Sequence, residues 1–295
     1  MSVPFDLPRT LSPSKVTSFR DCALAFRFNT IEHLPEEPKV WTVKGTLVHR
    51  VLEHLFWYHG QGERTPDAAA IELDRAWDAL QSDPEYLALD LSPAEADDLR
   101  TEAAALISNY FALEDPNDIT PIGIELLIEA RLGGLRLRGI IDRLDLTPDG
   151  ELVVIDYKTG RAPSPAFEQS KLIGVHIYAL LCQEVLGRKP VQVKLLHLKE
   201  PTVITAEPSD QALRGQRVKT LAVWSAIERA CAHEDFRPRT SPLCNYCRFR
   251  DFCPAYGGDP DQAALVLGAD VGADLGAGVG VSPGLEVGAD LDGAA

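Results

Sequence analysis

The amino-acid sequence predicts an α/β or α+β sandwich, and three changes of rhythm along the chain predict it. Residues 12 to 114 carry apolar side chains at helical spacing, and residues 122 to 158 switch to a period of two broken by turn residues. Helical spacing returns from about 165 onward, around one further strand. Helices first, a hairpin-rich sheet next and helices after it is the order of such a layered fold.

In "LSPSKVTSFRDCALAFRF", Ser12 reads as an N-cap and Pro13 as the first helical position, with Val16, Phe19, Ala23 and Phe26 following on one helix. A second helix is expected from near Gly45 in "KGTLVHRVLEHLFWYHG", with Leu47, Val51, Leu52 and Leu55 as its apolar stripe and Gly60 as its end. His49 and Glu53 share another face of it, four residues apart. From about 67 to 114, "AAAIELDRAWDAL" and a Ser92-Pro93 start into "AEADDLRTEAAALISNYFALE" predict a helical insertion or lid, bounded at about 61–118. Three strands follow, in "IGIELLIEARL", "LRLRGIIDRLDLT" and "ELVVIDYK". An amphipathic helix over roughly 165 to 187, a strand in "VQVKLLHL" and a long helix from about 208 to 232 complete an expected globular part of residues 1–255.

The 295 residues, 45% of them hydrophobic, supply enough apolar material for one large domain or two small ones. No window is apolar for the length of a membrane span, and "MSVPFDLPRT" lacks a basic stretch before an apolar run, so a cytoplasmic protein with no membrane partner is expected. The formal charge of -15 argues at first against a polyanionic partner. It is unevenly spread: residues 251–295 hold eight acids and no base, leaving 36 acids against 29 bases in residues 1–250. The Gly/Ala/Asp-rich stretch 256–295 has too little apolar side chain to offset the entropy of ordering, and reads as a disordered acidic tail. Net charge governs solubility and long-range steering, so it does not exclude an anionic substrate in one cleft.

The stretch "VVIDYKTG" raises the functional question. Val153, Val154 and Ile155 favour a strand, and its period of two sets Asp156 and Lys158 on one face with Val154. The preceding Thr147-Pro148-Asp149-Gly150 fits a type I turn followed by a left-handed glycine bulge. In that register Thr147 pairs with Glu151, paired numbers sum to 298, and Asp142 lies across from Asp156. Two carboxylates ~5 Å apart at Cβ repel, and one ammonium cannot neutralise both. A hard divalent cation such as Mg²⁺ can. With Lys158 beside it, the trio suits phosphodiester hydrolysis, the metal polarising the phosphate and activating a water. The plain alternative is a surface ion pair of Asp156 and Lys158 at a strand end, and His49 taken alone is an ordinary helix-surface histidine.

"GIIDRLD" followed by "VVIDYKTG" resembles the Asp…Asp-x-Lys core of the PD-(D/E)XK nuclease superfamily in its RecB-like exonuclease branch, and "GTLVHRVLE" resembles the helix that carries a metal-binding His in that branch. The resemblance spans most of residues 10–255. It implies a restriction-endonuclease-like α/β core, a mixed central sheet flanked by helices. It also implies His49, Asp142, Asp156 and the Tyr157 carbonyl as ligands of Mg²⁺ or Mn²⁺, and Lys158 as the catalytic lysine. Tyr178 matches the tyrosine of the branch's Gln-x-x-x-Tyr pattern, yet Gly174 stands where the glutamine belongs. Gln169 and Lys171 lie on the same segment as substitutes.

Six cysteines in a cytoplasmic chain argue against disulfides. Cys244, Cys247 and Cys253 stand as C-x2-C-x5-C-P, and Cys22 on the first helix is the candidate fourth ligand, because the final segment packs back onto the chain's free N-terminal helix. Spacing alone makes zinc the default. The resemblance to AddB-type nucleases, with one Cys before the core and three after, implies a 4Fe-4S cluster that staples the N- and C-terminal parts together. Cys182 and Cys231 read as packing residues. Arg237, Arg239, Arg248 and Arg250, interleaved with Tyr246 and Phe249, form a basic stretch that suits phosphates and unpaired bases, or a solvated loop.

These readings converge on a metal-dependent deoxyribonuclease acting on DNA in repair or recombination, an exonuclease or single-strand-preferring enzyme. A catalytically inactive nuclease-like module that binds DNA or protein is the alternative. The chain has no G-x-x-x-x-G-K-[ST] sequence, so any helicase is a separate subunit.

Overall fold

The computed structural model describes residues 5–162 and 168–267. The chain opens with α1 (Pro13–Asp21), capped by the Ser12 side chain accepting from the Lys15 N–H. The expected single first helix is interrupted: Cys22 is extended (φ -161, ψ 112), and α2 (Ala23–Phe26) then runs into a π-helical turn at Arg27–Ile31. Helix α3 (Val40–Tyr58) starts five residues before Gly45, because Val43 already joins the buried stripe of Leu47, Val51, Leu52 and Leu55. The helical segment comprises α4 (Pro66–Leu80), the single turn α5 (Pro84–Leu87) and α6 (Pro93–Tyr110), the last opened by a Ser92–Glu95 capping box.

Strands β1 (Pro121–Leu132), β2 (Leu135–Leu146), β3 (Leu152–Lys158), β4 (Gln192–His197) and β5 (Thr202–Ala206) form one sheet in the order β1-β2-β3-β4-β5. The sheet is mixed: β3 and β4 are parallel, joined over α7 (Glu168–Leu186), and the other neighbours are antiparallel. Strand β5, "TVITA", was not expected from sequence. It is a short edge strand with outward Thr202 and Thr205, so it carries little alternation to read.

The β2–β3 hairpin closes as its turn residues dictate. The Thr147 N–H donates to Glu151 O at 2.8 Å, the Gly150 N–H to Thr147 O at 2.8 Å, and Gly150 sits at φ 78. The ladder Leu146↔Leu152, Asp145↔Val153, Leu144↔Val154, Arg143↔Ile155 keeps the predicted sum of 298 and ends one row short of Asp142 and Asp156.

Alternation in β3 feeds two cores. Leu152 and Val154 pack with Leu144, Val193 and Leu195 against elements that include α1, α7 and α8 (Asp210–His233). Val153, Ile155 and Tyr157 pack on the other face with α3, α4 and α6. The helical segment thus shares a core with the sheet and is not a detached lid. Burial of some twenty apolar side chains there, at about 1.5–3 kcal/mol each before entropic cost, fixes α3 against β3.

After α8 the chain makes short 3-10 turns at Pro242–Tyr246, Arg250–Phe252, Pro254–Tyr256 and Pro260–Gln262, then α9 (Ala263–Leu267). Ala263 is fully buried and Asp261 pairs with Arg27 at 3.1 Å, so order extends past the expected boundary at 255. The remainder of the expected tail, residues 268–295, lies outside the described residues, as do the side chains of Gln169 and Lys171. Among the described residues no helix is long and apolar enough to cross a membrane.

Candidate active site

The hairpin brings its charged residues together where β2 and β3 part. The Tyr157 N–H donates to Asp142 Oδ2 at 2.7 Å, so a carboxylate replaces a backbone acceptor at the point where the ladder stops. Asp142 and Asp156 are both buried, and Lys158 forms an ion pair with Asp156 Oδ2 while its stem reaches solvent. From α3, His49 places Nε2 at 3.2 Å from the Tyr157 carbonyl oxygen and Nδ1 at 3.6 Å from Asp142 Oδ2. His49, Asp142 and the Tyr157 carbonyl therefore meet at one place; Asp156, paired with Lys158, acts on His49 and Asp142 through its charge.

Glu125 on β1 joins them, unanticipated from sequence. Its Oε1 lies 3.9 Å from His49 Nδ1, and one ligand atom each from His49, Glu125 and Asp142 fall within 4.8 Å of one another. Glu125 holds φ 45, a left-handed backbone that costs a non-glycine residue about 1–3 kcal/mol. At that row both strands change phase. Ile124 packs into the α3-side core and Leu126 into the opposite one, while in β2 Ile141 and Leu144 share a core despite their odd spacing. Sequence patterning assumes unbroken alternation, so it had no means of turning Glu125 inward.

Three carboxylates against one ammonium and one imidazole make a strained set of charges. Burial raises the Asp142 carboxyl; His49 and the Tyr157 N–H oppose that, and the Asp156 and Glu125 charges add to it. His49 is raised to about 9, burial opposing the charge and Asp142, Glu125 and Asp156 outweighing it. Lys158 is raised: burial alone would lower it, and Asp156 more than compensates. Oxygen-rich donors with one imidazole and a carbonyl suit a hard divalent ion such as Mg²⁺ or Mn²⁺, so the residues present fit such an ion.

Behind this row stands a buried cation. Arg143 is fully buried, donates Nε and Nη2 to Asp145 at 2.8 and 3.0 Å, and Nη1 to Glu114 at 2.6 Å and to the Tyr157 hydroxyl at 2.7 Å. Its guanidinium lies 4.4 Å from the Phe56 ring centre. Tyr157 is thereby anchored at its hydroxyl while its backbone N–H holds Asp142.

Burial, and then the charges of Asp156, Asp142 and Glu125, raise the Tyr178 hydroxyl above its ordinary pKa. Its ring packs over Gly139, where an added Cβ would come within 3.0 Å of it, and it lines a cleft of about 730 Å³ with Asp156, Lys158, Arg161 and Gly174. That cleft runs to the cysteine region, where Cys22, Cys244 and Cys247 also line it. All four predicted cysteines, Cys253 included, border one further pocket with Phe28, Phe249 and Tyr256. The break at Cys22 is what releases its side chain from a helix surface toward this pocket. Cys244 accepts from the Ser241 N–H at 3.3 Å, and that bond, with the Tyr256 hydroxyl, lowers its thiol pKa. Cys182 and Cys231 are buried in the core, as packing residues are.

In the basic stretch Arg248 is tied to the fold, while Arg237 and Arg239 make exposed contacts. Arg248 donates to Leu34 O at 2.8 Å and covers Phe249 at 4.3 Å, Arg239 donates to Arg20 O at 3.1 Å, and Arg237 pairs with Asp235 at 2.8 Å.

A mixed sheet with carboxylates and a lysine at a splayed hairpin defines a nuclease-type core. Residues 10–254 match the PD-(D/E)XK nuclease superfamily, and the chain belongs to it. Among its relatives is the Gene 69 protein of Mycobacterium phage D29, 25% identical over an alignment 271 positions long that covers 83% of this chain and 96% of that protein. The Gene 69 protein of Mycobacterium phage L5 is 29% identical over 135 residues, 45% of this chain and 44% of that one. A solved structure from Eubacterium rectale, described as a candidate exonuclease, shares the fold with a TM-score of 0.51 at 11% identity, covering 82% of this chain and 88% of that chain.

Proposed function

We propose that this chain is a deoxyribonuclease that hydrolyses DNA phosphodiester bonds with Mg²⁺ or Mn²⁺ held by His49, Asp142, Asp156 and the Tyr157 carbonyl. One observation carries the reading: buried like charges converge on a histidine and a carbonyl with a single ammonium among them, an arrangement that a divalent cation relieves. When bound, such an ion polarises a phosphate oxygen and lowers the pKa of a coordinated water. Tyr157 fixes Asp142 through its N–H and offers its carbonyl on the same edge of the strand, toward His49. Lys158 has a raised pKa, so it is an ammonium at neutral pH and stabilises the charge developing on the phosphate instead of removing a proton. Tyr178, Arg161 and Gly174 line a cleft of about 730 Å³ together with Asp156 and Lys158, room beside the site for nucleotides. This favours an exonuclease or single-strand-preferring enzyme of the RecB-like branch, serving DNA repair or recombination, with any unwinding left to a separate helicase subunit.

The four cysteines are proposed to hold a 4Fe-4S cluster. Their convergence on one pocket, with one cysteine before the nuclease core and three after it, supports the reading. Anaerobic purification that yields a brown, iron-containing sample is the expected result, and a colourless zinc protein contradicts it.

Gly174 favours a second reading, an inactive DNA- or protein-binding module, since it replaces the glutamine of the branch. Degradation of single- and double-stranded DNA with Mg²⁺ or Mn²⁺ separates the two. The natural chain is expected to degrade DNA, and Asp156→Ala and Lys158→Ala to lose that activity. Equal activity in all three rules out the assigned site, and DNA binding without cleavage supports the inactive module.

A further inference from the structure

We infer that the exposed indole of Trp41 is a stacking platform for an unpaired base of the DNA strand, a few nucleotides from the scissile phosphate. The inference rests on the proposed nuclease reading and names how the strand is held on the α3 side of the sheet. His49, Gly45 and Trp41 follow one another on a single row of α3, four residues apart. His49 meets the Tyr157 carbonyl, and Gly45 lies against Thr159, where an added Cβ would stand 3.2 Å from the hydroxyl oxygen. Four helical residues advance about 6 Å and two strand residues about as much, so each step back along the row moves two residues up β3. The next step carries Trp41 past Lys158, the last residue of that strand. His49 and Trp41 are ~12 Å apart along α3, about three or four nucleotides of a strand that rises ~3.4 Å at each.

A tryptophan is seldom left so open. Trp41 is 66% exposed, the most of the chain's four tryptophans, and it packs in neither core. Gly45 puts no side chain between it and His49, so the row has an imidazole at one end, a gap in the middle and a flat aromatic face at the other end. Lys39 Nζ stands 5.5 Å from the indole centre, and its pair with Glu36 at 3.0 Å is exposed, so a phosphate can displace that carboxylate. Arg161, past the end of the same strand, is open too, 3.9 Å from Glu200. With Glu36 and Glu37 on the segment that leads into α3, charge alone attracts a phosphate chain weakly, and the base face has to supply the affinity. Alternation sets Lys158 toward the cleft and Thr159 toward α3. A DNA strand laid over the end of β3 therefore meets the cleft on one side of the cut and Trp41 on the other. Every base has a π-face, so such a platform holds the strand without reading its sequence.

Binding of a labelled oligo-dT strand and of an abasic strand of equal length, followed by fluorescence anisotropy in EDTA, tests this on the natural chain, Trp41→Ala and Trp41→Phe. Trp41→Ala is expected to bind oligo-dT about 5- to 100-fold more weakly, the range of one lost base–aromatic stack, and the abasic strand as the natural chain does. Trp41→Phe keeps an aromatic face and should retain most of the affinity. With Mn²⁺, Trp41→Ala should raise KM for oligo-dT by the same factor and leave kcat within about twofold, because the indole stands ~12 Å along the helix from His49. If Trp41→Ala binds and cuts oligo-dT like the natural chain while Asp156→Ala does not cut, this inference falls and the nuclease reading stands. If the natural chain neither binds nor cuts DNA, both fall. Equal weakening for the oligo-dT and abasic strands overturns the stacking claim, as does a changed oligomeric state of Trp41→Ala with DNA binding intact, which makes the indole a protein contact.

Discussion

Replacing Arg143 with leucine removes a fully buried guanidinium from beneath the proposed metal site. Asp145 loses two hydrogen bonds of 2.8 and 3.0 Å, Glu114 loses one of 2.6 Å and the Tyr157 hydroxyl one of 2.7 Å. Breaking a buried pair by deleting one partner costs about 3–5 kcal/mol, because the other charge stays behind unpaired. In a domain of this size each kcal/mol moves the melting temperature by about 2–4 °C, so Arg143→Leu should melt roughly 6–20 °C lower. Tyr157→Phe, which deletes one hydroxyl and leaves the carboxylate pairs intact, should cost about 1 kcal/mol. Arg143→Leu/Asp145→Leu should recover part of the loss, since neither variant side chain leaves a buried charge. Circular dichroism melts of the metal-free proteins at pH 7 measure all three. A melting temperature for Arg143→Leu within 2 °C of the natural chain would refute the claim that this cluster anchors Tyr157.

Four further outcomes follow from named groups. His49, raised to about 9 from the ordinary value of 6.5, stabilises the metal-free fold fully below pH 6.5 and loses that contribution as pH rises through 9. The loss is about 3 kcal/mol at most, and Asp142, also raised, acts in the same direction. Metal-free melting temperature should therefore fall from pH 6.5 to 9.5. Mn²⁺ affinity should climb from pH 7 to 9, by up to about 100-fold, as protons leave the ligands, and His49→Asn should flatten the climb; affinity that falls with pH contradicts both. Gly174→Gln meets no atom within 4 Å at its Cβ and replaces a helix-interior glycine, so it should stabilise by about 0.5–1 kcal/mol without lowering nuclease activity. Reduced activity would show that the cleft needs an empty position there. Cys22→Ser should lose iron to the same extent as Cys247→Ser, measured by iron content after anaerobic purification, because both border the same pocket; retained iron in Cys22→Ser excludes it as the fourth ligand.

Local chemistry made much of the site readable in advance. Thr-Pro-Asp-Gly dictates a turn whose bulge sets the register of β2 against β3, and that register carries Asp142 to the level of Asp156. His49 could be placed only through resemblance, since helical spacing puts it on a face without naming what lies opposite. Glu125 stayed hidden because its orientation depends on one backbone torsion within a strand whose letters look regular. The kink at Cys22 was unreadable for a similar reason: the apolar spacing of Val16, Phe19, Ala23 and Phe26 continues straight across it. Strand β5 gave too short a pattern to register, and α3 began early because burial of Val43 outweighs the cost of Gly45 inside a helix.

The central claim is that one divalent ion binds where β2 and β3 separate. A crystal soaked in Mn²⁺ and measured at the manganese absorption edge tests it most directly. An anomalous peak bounded by His49, Asp142, Asp156 and the Tyr157 carbonyl is the predicted result. Manganese found elsewhere, with Lys158 still closed on Asp156 and no ion beside Asp142, would contradict it.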